Sequence, residues 1–198
     1  MNPASPSLPS PPTIDTRSTT DPHPPAPRLH APPLILEPLT ADQAEPMFEV
    51  LSERSLYAYL DDEPPASVAA LREVYRRRER GRSPDGSELW FNWLLTLPDA
   101  GWVGFVQASM TDPQSCWIGY LLSSAVQGRG HATRAVARMV AHLRSHHGAE
   151  RLLASVERAN RPSIALLERL EFSLASPEEH AMHGLGPTEQ LYVRFLAR

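Results

Sequence analysis

A chain of 198 residues with 41% hydrophobic side chains has enough apolar surface for one domain of ordinary size with a tail. Its formal charge of −4 argues against sequence-independent nucleic-acid binding, which needs a basic face to neutralise phosphates, and no apolar run approaches the length of a membrane span. The single Cys116 excludes an internal disulfide framework and suits a reducing compartment, so the expected location is cytoplasmic.

Residues 1–33 hold eleven of the twenty-one prolines, mixed with Ser and Thr and almost no large apolar side chains. Such a segment buries too little surface to offset its ordering entropy and is expected to be disordered or extended. It lacks the apolar core of a secretory signal. Pro9 to Pro12 and Pro22 to Pro25 match Pro-x-x-Pro ligands, yet arise readily by chance in this composition, and a linker is the expectation. The domain is expected to span residues 34–198.

Leu34-Ile35-Leu36-Glu37-Pro38-Leu39 reads as a short strand whose proline fits an edge or terminal position. Thr40 and Gln43 form a capping box that opens a helix through Met47, Val50 and Leu51. A second helix is predicted from Ser67 to Arg80, with Val68, Leu71, Val74 and Tyr75 on one face and Gly81 as its stop. The connection between them carries Tyr57, Tyr59, Asp61, Asp62 and Glu63. Two tyrosines followed by three acids can form the mouth of a pocket for a cationic amine, with Tyr57, Tyr59, Asp61 and Asp62 as candidate acceptor contacts. An ordinary solvated loop with its tyrosines turned inward is the competing reading. The run Arg76-Arg77-Arg78 with Arg80 and Arg82 reads as a solvated helix face.

From Glu88 the pattern changes to closely spaced strands: Leu89 to Leu97, Trp102 to Met110 and Cys116 to Leu122. Turns at Pro98 to Gly101 and Thr111 to Ser115 make an antiparallel meander the economical reading. Trp90, Trp93, Trp102 and Trp117 are expected mostly in the core. Next comes Gln127-Gly128-Arg129-Gly130-His131-Ala132-Thr133, a glycine turn between strand and helix. Such a turn lets several backbone N–H groups converge on one anion, with the positive end of the helix behind them. A P-loop would need Lys-Ser/Thr after the glycines, and a dinucleotide site a third glycine and a downstream acid; neither is present. The helix itself runs from Ala132 to His147, with Ala135, Val136, Met139, Val140 and Leu143 on one face and Gly148 at its end. His142 and His146 have metal-ligand spacing without a third ligand, so no metal is expected and helix C-terminal histidines are the better explanation. Arg151 to Val156 is a strand parallel to Cys116–Leu122, because a helix crosses between them by a right-handed connection.

The spacing Gln127-x-x-Gly130-x-Ala132 resembles the acetyl-CoA motif of the GNAT acetyltransferase superfamily. Asn160 to Phe172 is similar to the segment Asn-x-x-Ser/Ala-x-x-Leu-x-Glu-Lys-Leu-Gly-Phe in its RimJ/RimL form. The two motifs occur in the right order about thirty residues apart, and Leu34 to Leu39 and Ile118-Gly119-Tyr120 also look like that branch. The resemblance implies a GNAT fold of α/β class, with a central mixed sheet that splays between its two parallel strands to admit acetyl-CoA. It implies CoA contacts from Gln127, Gly128, Arg129, Gly130, His131, Ala132, Thr133 and Asn160, and from the backbone of Leu121 and Leu122.

Two departures bear on chemistry. Glu171 replaces the usual glycine before Phe172, so a left-handed helix end must be built differently or strained. Leu167 stands where many GNAT enzymes carry a tyrosine that protonates the leaving thiolate. The resemblance then points to Ser163 as the catalytic hydroxyl toward the CoA sulfur, while the local sequence equally allows Ser163, beside Pro162, to be a helix cap. The implied reaction is acetyl transfer to a primary amine, an α-amine being mildly favoured. An aminoglycoside or polyamine acceptor and a non-catalytic acetyl-CoA sensor are the alternatives. The expected partners are acetyl-CoA and the amine, with no nucleic acid or membrane, and the chain acts as a monomer or homodimer.

Overall fold

Residues 26–196 are described in a computed structural model of the chain. The alternating runs read as strands pair into one eight-stranded sheet. The predicted meander is present as β3 (Leu89–Leu97), β4 (Gly101–Asp112) and β5 (Ser115–Leu122), antiparallel throughout. Two short strands precede it, β1 (Leu29–Ala31) and β2 (Leu34–Pro38). Beyond β5 come β6 (Arg151–Glu157), β7 (Ser173–Leu174) and β8 (Glu189–Phe195), giving the order β1-β2-β3-β4-β5-β6-β8-β7. Among the described residues only β5 and β6 run parallel, joined by the predicted helical crossover α3 (His131–His147).

The start of the domain corrects the sequence reading. The sheet takes in Leu29–Ala31, beginning five residues upstream of the expected boundary, because Leu29 and Ala31 alternate with exposed His30 and enter the core. The Pro27 carbonyl also accepts a 2.7 Å hydrogen bond from the Trp93 indole. Proline content masked a strand of three residues whose alternation was too short to read. The rest of the proline-rich segment, residues 1–25, lies outside the described residues.

Helices α1 (Ala44–Leu51) and α2 (Val68–Arg78) cover one face of the sheet, where Leu39, Met47, Leu51, Leu71 and Tyr75 bury Leu94. The capping box is formed: Gln43 Oε1 accepts the Thr40 N–H at 2.6 Å and a short 3-10 turn leads into α1. Ser67 caps α2 by accepting from the Ala70 N–H. On the other face, α3 and α4 (Arg161–Arg169) pack Ala135, Val136, Met139, Leu143, Ile164 and Leu167 onto the sheet. A last helix, α5 (Pro177–Met182), lies between β7 and β8. Of the four tryptophans expected mostly in the core, Trp93 is fully buried, while Trp90, Trp102 and Trp117 are partly covered.

One irregularity shapes the site. The register shifts so that Leu95 pairs with Gly104 and Thr96 with Trp102, leaving Val103 as the extra residue of a bulge in β4. A Cβ on Gly104 would lie 2.1 Å from the Leu121 carbonyl oxygen, so only glycine lets the two backbones approach at this point.

Candidate active site

Three pieces of backbone meet at the C-terminal end of β5. The first is the glycine turn. Gly128 and Gly130 hold φ of 74° and 75°, left-handed values that side chains resist. A Cβ on either would meet nothing within 4 Å, so the backbone shape, and not packing, demands glycine, and open space lies in front of it. Gly130 is the N-cap of α3 and supplies no side-chain cap, so the first N–H groups of the helix have no intrahelical acceptor. An anion in that space meets these donors and the positive end of a 17-residue helix.

The side chains of the turn divide their work. Gln127 Nε2 donates to the Leu122 carbonyl at 2.7 Å, bracing the turn against the strand end. Arg129 is exposed and adds a cation. The His131 imidazole is 9% exposed and its Nδ1 is enclosed without a protein partner. Burial, then Arg134 and Arg129, lowers its pKa, so it is neutral at pH 7 and offers the cradle its backbone N–H. Ala132 continues the helix, and Thr133 Oγ1 accepts from Arg169 Nη1 at 3.4 Å, linking α3 to α4.

The second piece is the free edge of β5. Its pairing with β6 is confined to Cys116↔Leu152 and Trp117↔Leu153, although β6 stays paired to β8 through Glu157 and β5 to β4 through Leu122. From Ile118 onward the parallel pair has parted, and Leu121 and Leu122 stand at the wide end. Backbone groups along such an edge need partners. An extended chain carrying amides can supply them, which is what the pantetheine arm of CoA offers.

The third piece is the N-terminus of α4. Asn160 Oδ1 accepts the Ser163 N–H at 3.2 Å, so Asn160 is the cap and Ser163 is not. The capping alternative for Ser163 is thereby corrected: it sits at the third helical position, where its own N–H is the group being capped. Its Oγ lies 2.6 Å from the Tyr120 hydroxyl. Sequence reasoning missed Tyr120 as a site residue. Strand alternation through Cys116, Ile118, Tyr120 and Leu122 places it on the face covered by α3 and α4, but its reach to α4 depends on how that helix packs. Leu167 is 1% exposed, deep in the core between α4 and the sheet.

On the α1 side of the sheet, a cleft of about 420 Å³ opens beside the end of β5, lined by Glu49, Val50, Glu53, Trp102 and Ser123 among others. Glu53 accepts from the Ser124 N–H at 3.2 Å and the Ser55 hydroxyl at 2.6 Å. Hydrogen bonds from Ser124 and Ser55 hold its carboxyl below the usual range, so it is charged at neutral pH. No sequence motif marked Glu53. The residues singled out for the acceptor mouth are nearby in sequence but differently used. Tyr57 donates to the Leu51 carbonyl at 2.9 Å, and burial, then Asp62, pushes its phenol up to about 12. Tyr59, Asp61 and Asp62 are exposed. Among the described residues, no cluster of three or more His, Cys, Asp or Glu side chains is arranged to hold a metal; His142 and His146 stack their rings 4.5 Å apart instead.

A mixed sheet parted at its one parallel pair, with a glycine turn and helix N-terminus at the mouth, defines the class of acyl-CoA N-acyltransferases. The acetyltransferase (GNAT) domain family matches residues 33–173, and the chain belongs to that family. Family and fold together make it an acetyl-CoA-dependent N-acetyltransferase. Solved structures share the fold at low identity. RimL, a ribosomal L7/L12 α-N-protein acetyltransferase in complex with coenzyme A, is 19% identical with a TM-score of 0.71, over 85% of this chain and 98% of its own. RimJ of Mycobacterium smegmatis, in complex with CoA-disulfide, is 22% identical with a TM-score of 0.66, over 85% of this chain and 84% of its own. A microcin C7 self-immunity acetyltransferase in complex with acetyl-CoA and AMP is 15% identical with a TM-score of 0.65, over 83% and 93%. A sequence search of curated proteins finds no match.

Proposed function

We propose that the protein transfers the acetyl group of acetyl-CoA to a primary amine, with the α-amine of a peptide or protein N-terminus as the favoured acceptor. The observation that carries this reading is the gap between β5 and β6, flanked by the Gly128–Gly130 turn on one side and by Ser163 on the other. The N–H groups from Gly128 to Thr133 receive the pyrophosphate, and the backbone of Leu121 and Leu122 receives the pantetheine. Asn160 has its Nδ2 left for the ligand, since Oδ1 is used in the cap. The attacking nitrogen forms its bond to the carbonyl carbon as the C–S bond breaks, and the Ser163 hydroxyl donates to the sulfur on which charge develops.

The acceptor preference follows from proton chemistry. About a tenth of an α-amine of pKa ~8 is neutral at pH 7, whereas a lysine amine at ~10.4 would need roughly 3 kcal/mol more help to reach the same fraction. Glu49, Glu53 and Trp102 in the cleft favour a second reading, a small polyamine or aminoglycoside, because carboxylates and an indole face both recognise ammonium groups. The similarity to RimL and to the self-immunity enzyme is compatible with either acceptor class.

The test is CoA release from acetyl-CoA over a panel of N-terminal peptides, polyamines and aminoglycosides. Turnover confined to peptides with a free α-amine supports the first reading, and turnover confined to the small amines supports the second. Binding of acetyl-CoA without turnover on the whole panel makes the protein a sensor. Ser163→Ala should lower kcat by about 10²-fold with little change in acetyl-CoA affinity; a stable variant with full kcat removes Ser163 from the mechanism.

A further inference from the structure

We infer that Tyr120 is a positioning residue for the acetyl transfer: its phenol donates to Ser163 Oγ and so aims the Ser163 hydroxyl at the sulfur of the departing CoA. The inference rests on the role proposed for Ser163 and adds the group that makes that role directional.

A serine hydroxyl rotates freely, and an unheld rotor at the mouth of a helix would spend its proton on the nearest acceptor. Two oxygens of Ser163 lie within reach of the Tyr120 phenol, Oγ at 2.6 Å and the carbonyl at 3.3 Å. A phenol has one proton, and the shorter contact is in the range of a strong O–H···O bond, while the longer one is beyond it. When Tyr120 donates to Oγ, the Ser163 proton must point elsewhere. The capping acceptor of α4 is Asn160 Oδ1, so Ser163 Oγ is not used as the cap. Tyr120 is itself fixed by β5, where its residue pairs with Val106 in β4, and its ring packs against the core beneath α3 and α4. The pair therefore spans the splayed sheet: one hydroxyl rides on the strand that lines the gap, the other on the helix that follows β6.

The chain of donors, Tyr120 to Ser163 to sulfur, also strengthens the last bond, because each hydrogen bond polarises the next in a poorly solvated site. Burial pushes the Tyr120 phenol up to about 12, so it stays protonated across the working range and is not spent. The proton balance is then simple. The C–N bond forms and the C–S bond breaks; nitrogen releases one proton to water, sulfur takes one from Ser163, and Ser163 regains one from water, so both hydroxyls begin and end protonated.

The experiment uses Tyr120→Phe, Ser163→Ala and the double variant, each measured for kcat with the best acceptor of the panel, acetyl-CoA affinity by calorimetry, and melting temperature. A further readout is the pKa of the thiol of bound CoA, followed by thiolate absorbance. The expected result is a roughly 10-fold loss of kcat in Tyr120→Phe with acetyl-CoA affinity unchanged, a raised thiol pKa, and a double variant no slower than Ser163→Ala alone. Equal fold-losses for Tyr120→Phe with and without Ser163 would overturn the inference, since Tyr120 would then act by packing or directly. So would full kcat and an unshifted thiol pKa in Tyr120→Phe beside a slow Ser163→Ala, an outcome that leaves the role of Ser163 intact. Full kcat in Ser163→Ala overturns both. Should no acceptor in the panel be turned over, the bound-thiol titration decides alone: a rise in Tyr120→Phe that is absent in the Ser163→Ala background supports the pair, and no rise overturns it.

Discussion

At Gly130 the proposed acetyl-CoA site is built from backbone and not from side chain. Its Cβ position is empty space and its φ is 75°, so replacement disturbs no packing but strains the backbone by about 1–2 kcal/mol and fills the approach to the helix N-terminus. Gly130→Val is expected to weaken acetyl-CoA binding by about 10- to 100-fold, the worth of one or two hydrogen bonds to a charged group. Gly148 provides the control, because it has φ of 64° with an equally open Cβ position at the other end of α3. Gly148→Val should cost similar stability and leave calorimetric acetyl-CoA affinity alone. Equal affinity losses at both glycines would mean that helix integrity, and not the cradle, was being measured. A related backbone demand at Glu171 is met without glycine: φ is 62°, and the side chain is paired at 2.7 Å with Arg194 of β8. The left-handed helix end foreseen from sequence is therefore kept, with the strain it implies.

At the scale of the element, α3 carries both the cradle and a titratable cluster at its far end. His142 is 3% exposed, sits edge-on to Trp93 at 5.7 Å, and has no partner on Nε2. Burial first, then the neighbouring His146, His147 and Arg138, lowers its pKa to about 4 from 6.5. The folded state therefore requires neutral His142. Between these values the unfolded chain binds the proton and the folded one does not, so stability from this site is complete above pH 6.5 and is lost as pH falls toward 4. The loss approaches about 3 kcal/mol, since each pKa unit is about 1.4 kcal/mol. Urea unfolding at pH 7 and pH 4 should show a smaller difference in His142→Leu than in the parent chain by up to that amount. An unchanged difference would place the acid sensitivity among the carboxylates.

Across the whole molecule, the edge of the sheet decides where the chain can be cut. Leu29 and Ala31 are buried and the Pro27 carbonyl holds the Trp93 indole, so β1 belongs to the core that α3 also covers. Deletion of residues 1–25, the part of the proline-rich segment 1–33 that lies before β1, should leave melting temperature and turnover unchanged. Deletion through residue 33 removes β1 and uncovers Trp93, at a cost of about 3 kcal/mol or roughly 10 °C. Differential scanning calorimetry of both truncations checks this, and equal melting temperatures would show that β1 adds nothing. Among the described residues, no helix is long and apolar enough to cross a membrane.

What the sequence by itself determined is everything with a local cause. The meander follows from period-two runs and turn residues, the ends of α1 and α2 from Thr40, Gln43 and Ser67, the turn before α3 from Gly128 and Gly130, and the left-handed strain at Glu171 from the missing glycine. The family resemblance was legible for the same reason, since its two motifs are each one short strand-to-helix turn. Tertiary structure alone decided the rest. Whether Asn160 or Ser163 caps α4 depends on which of two nearby oxygens the first turn brings within range of an N–H, and both residue types are competent caps. The pairing of Tyr120 with Ser163 joins residues forty-three positions apart through the packing of α4 on the sheet, and Glu53 reaches Ser124 across seventy-one. No short-range pattern encodes such contacts, because a hydroxyl or a carboxylate looks the same in sequence whether it faces water or another element. The extent of the splay is of this kind: the resemblance implied that the two parallel strands part, but that pairing is kept only at Cys116 and Trp117 is seen in the tertiary structure alone.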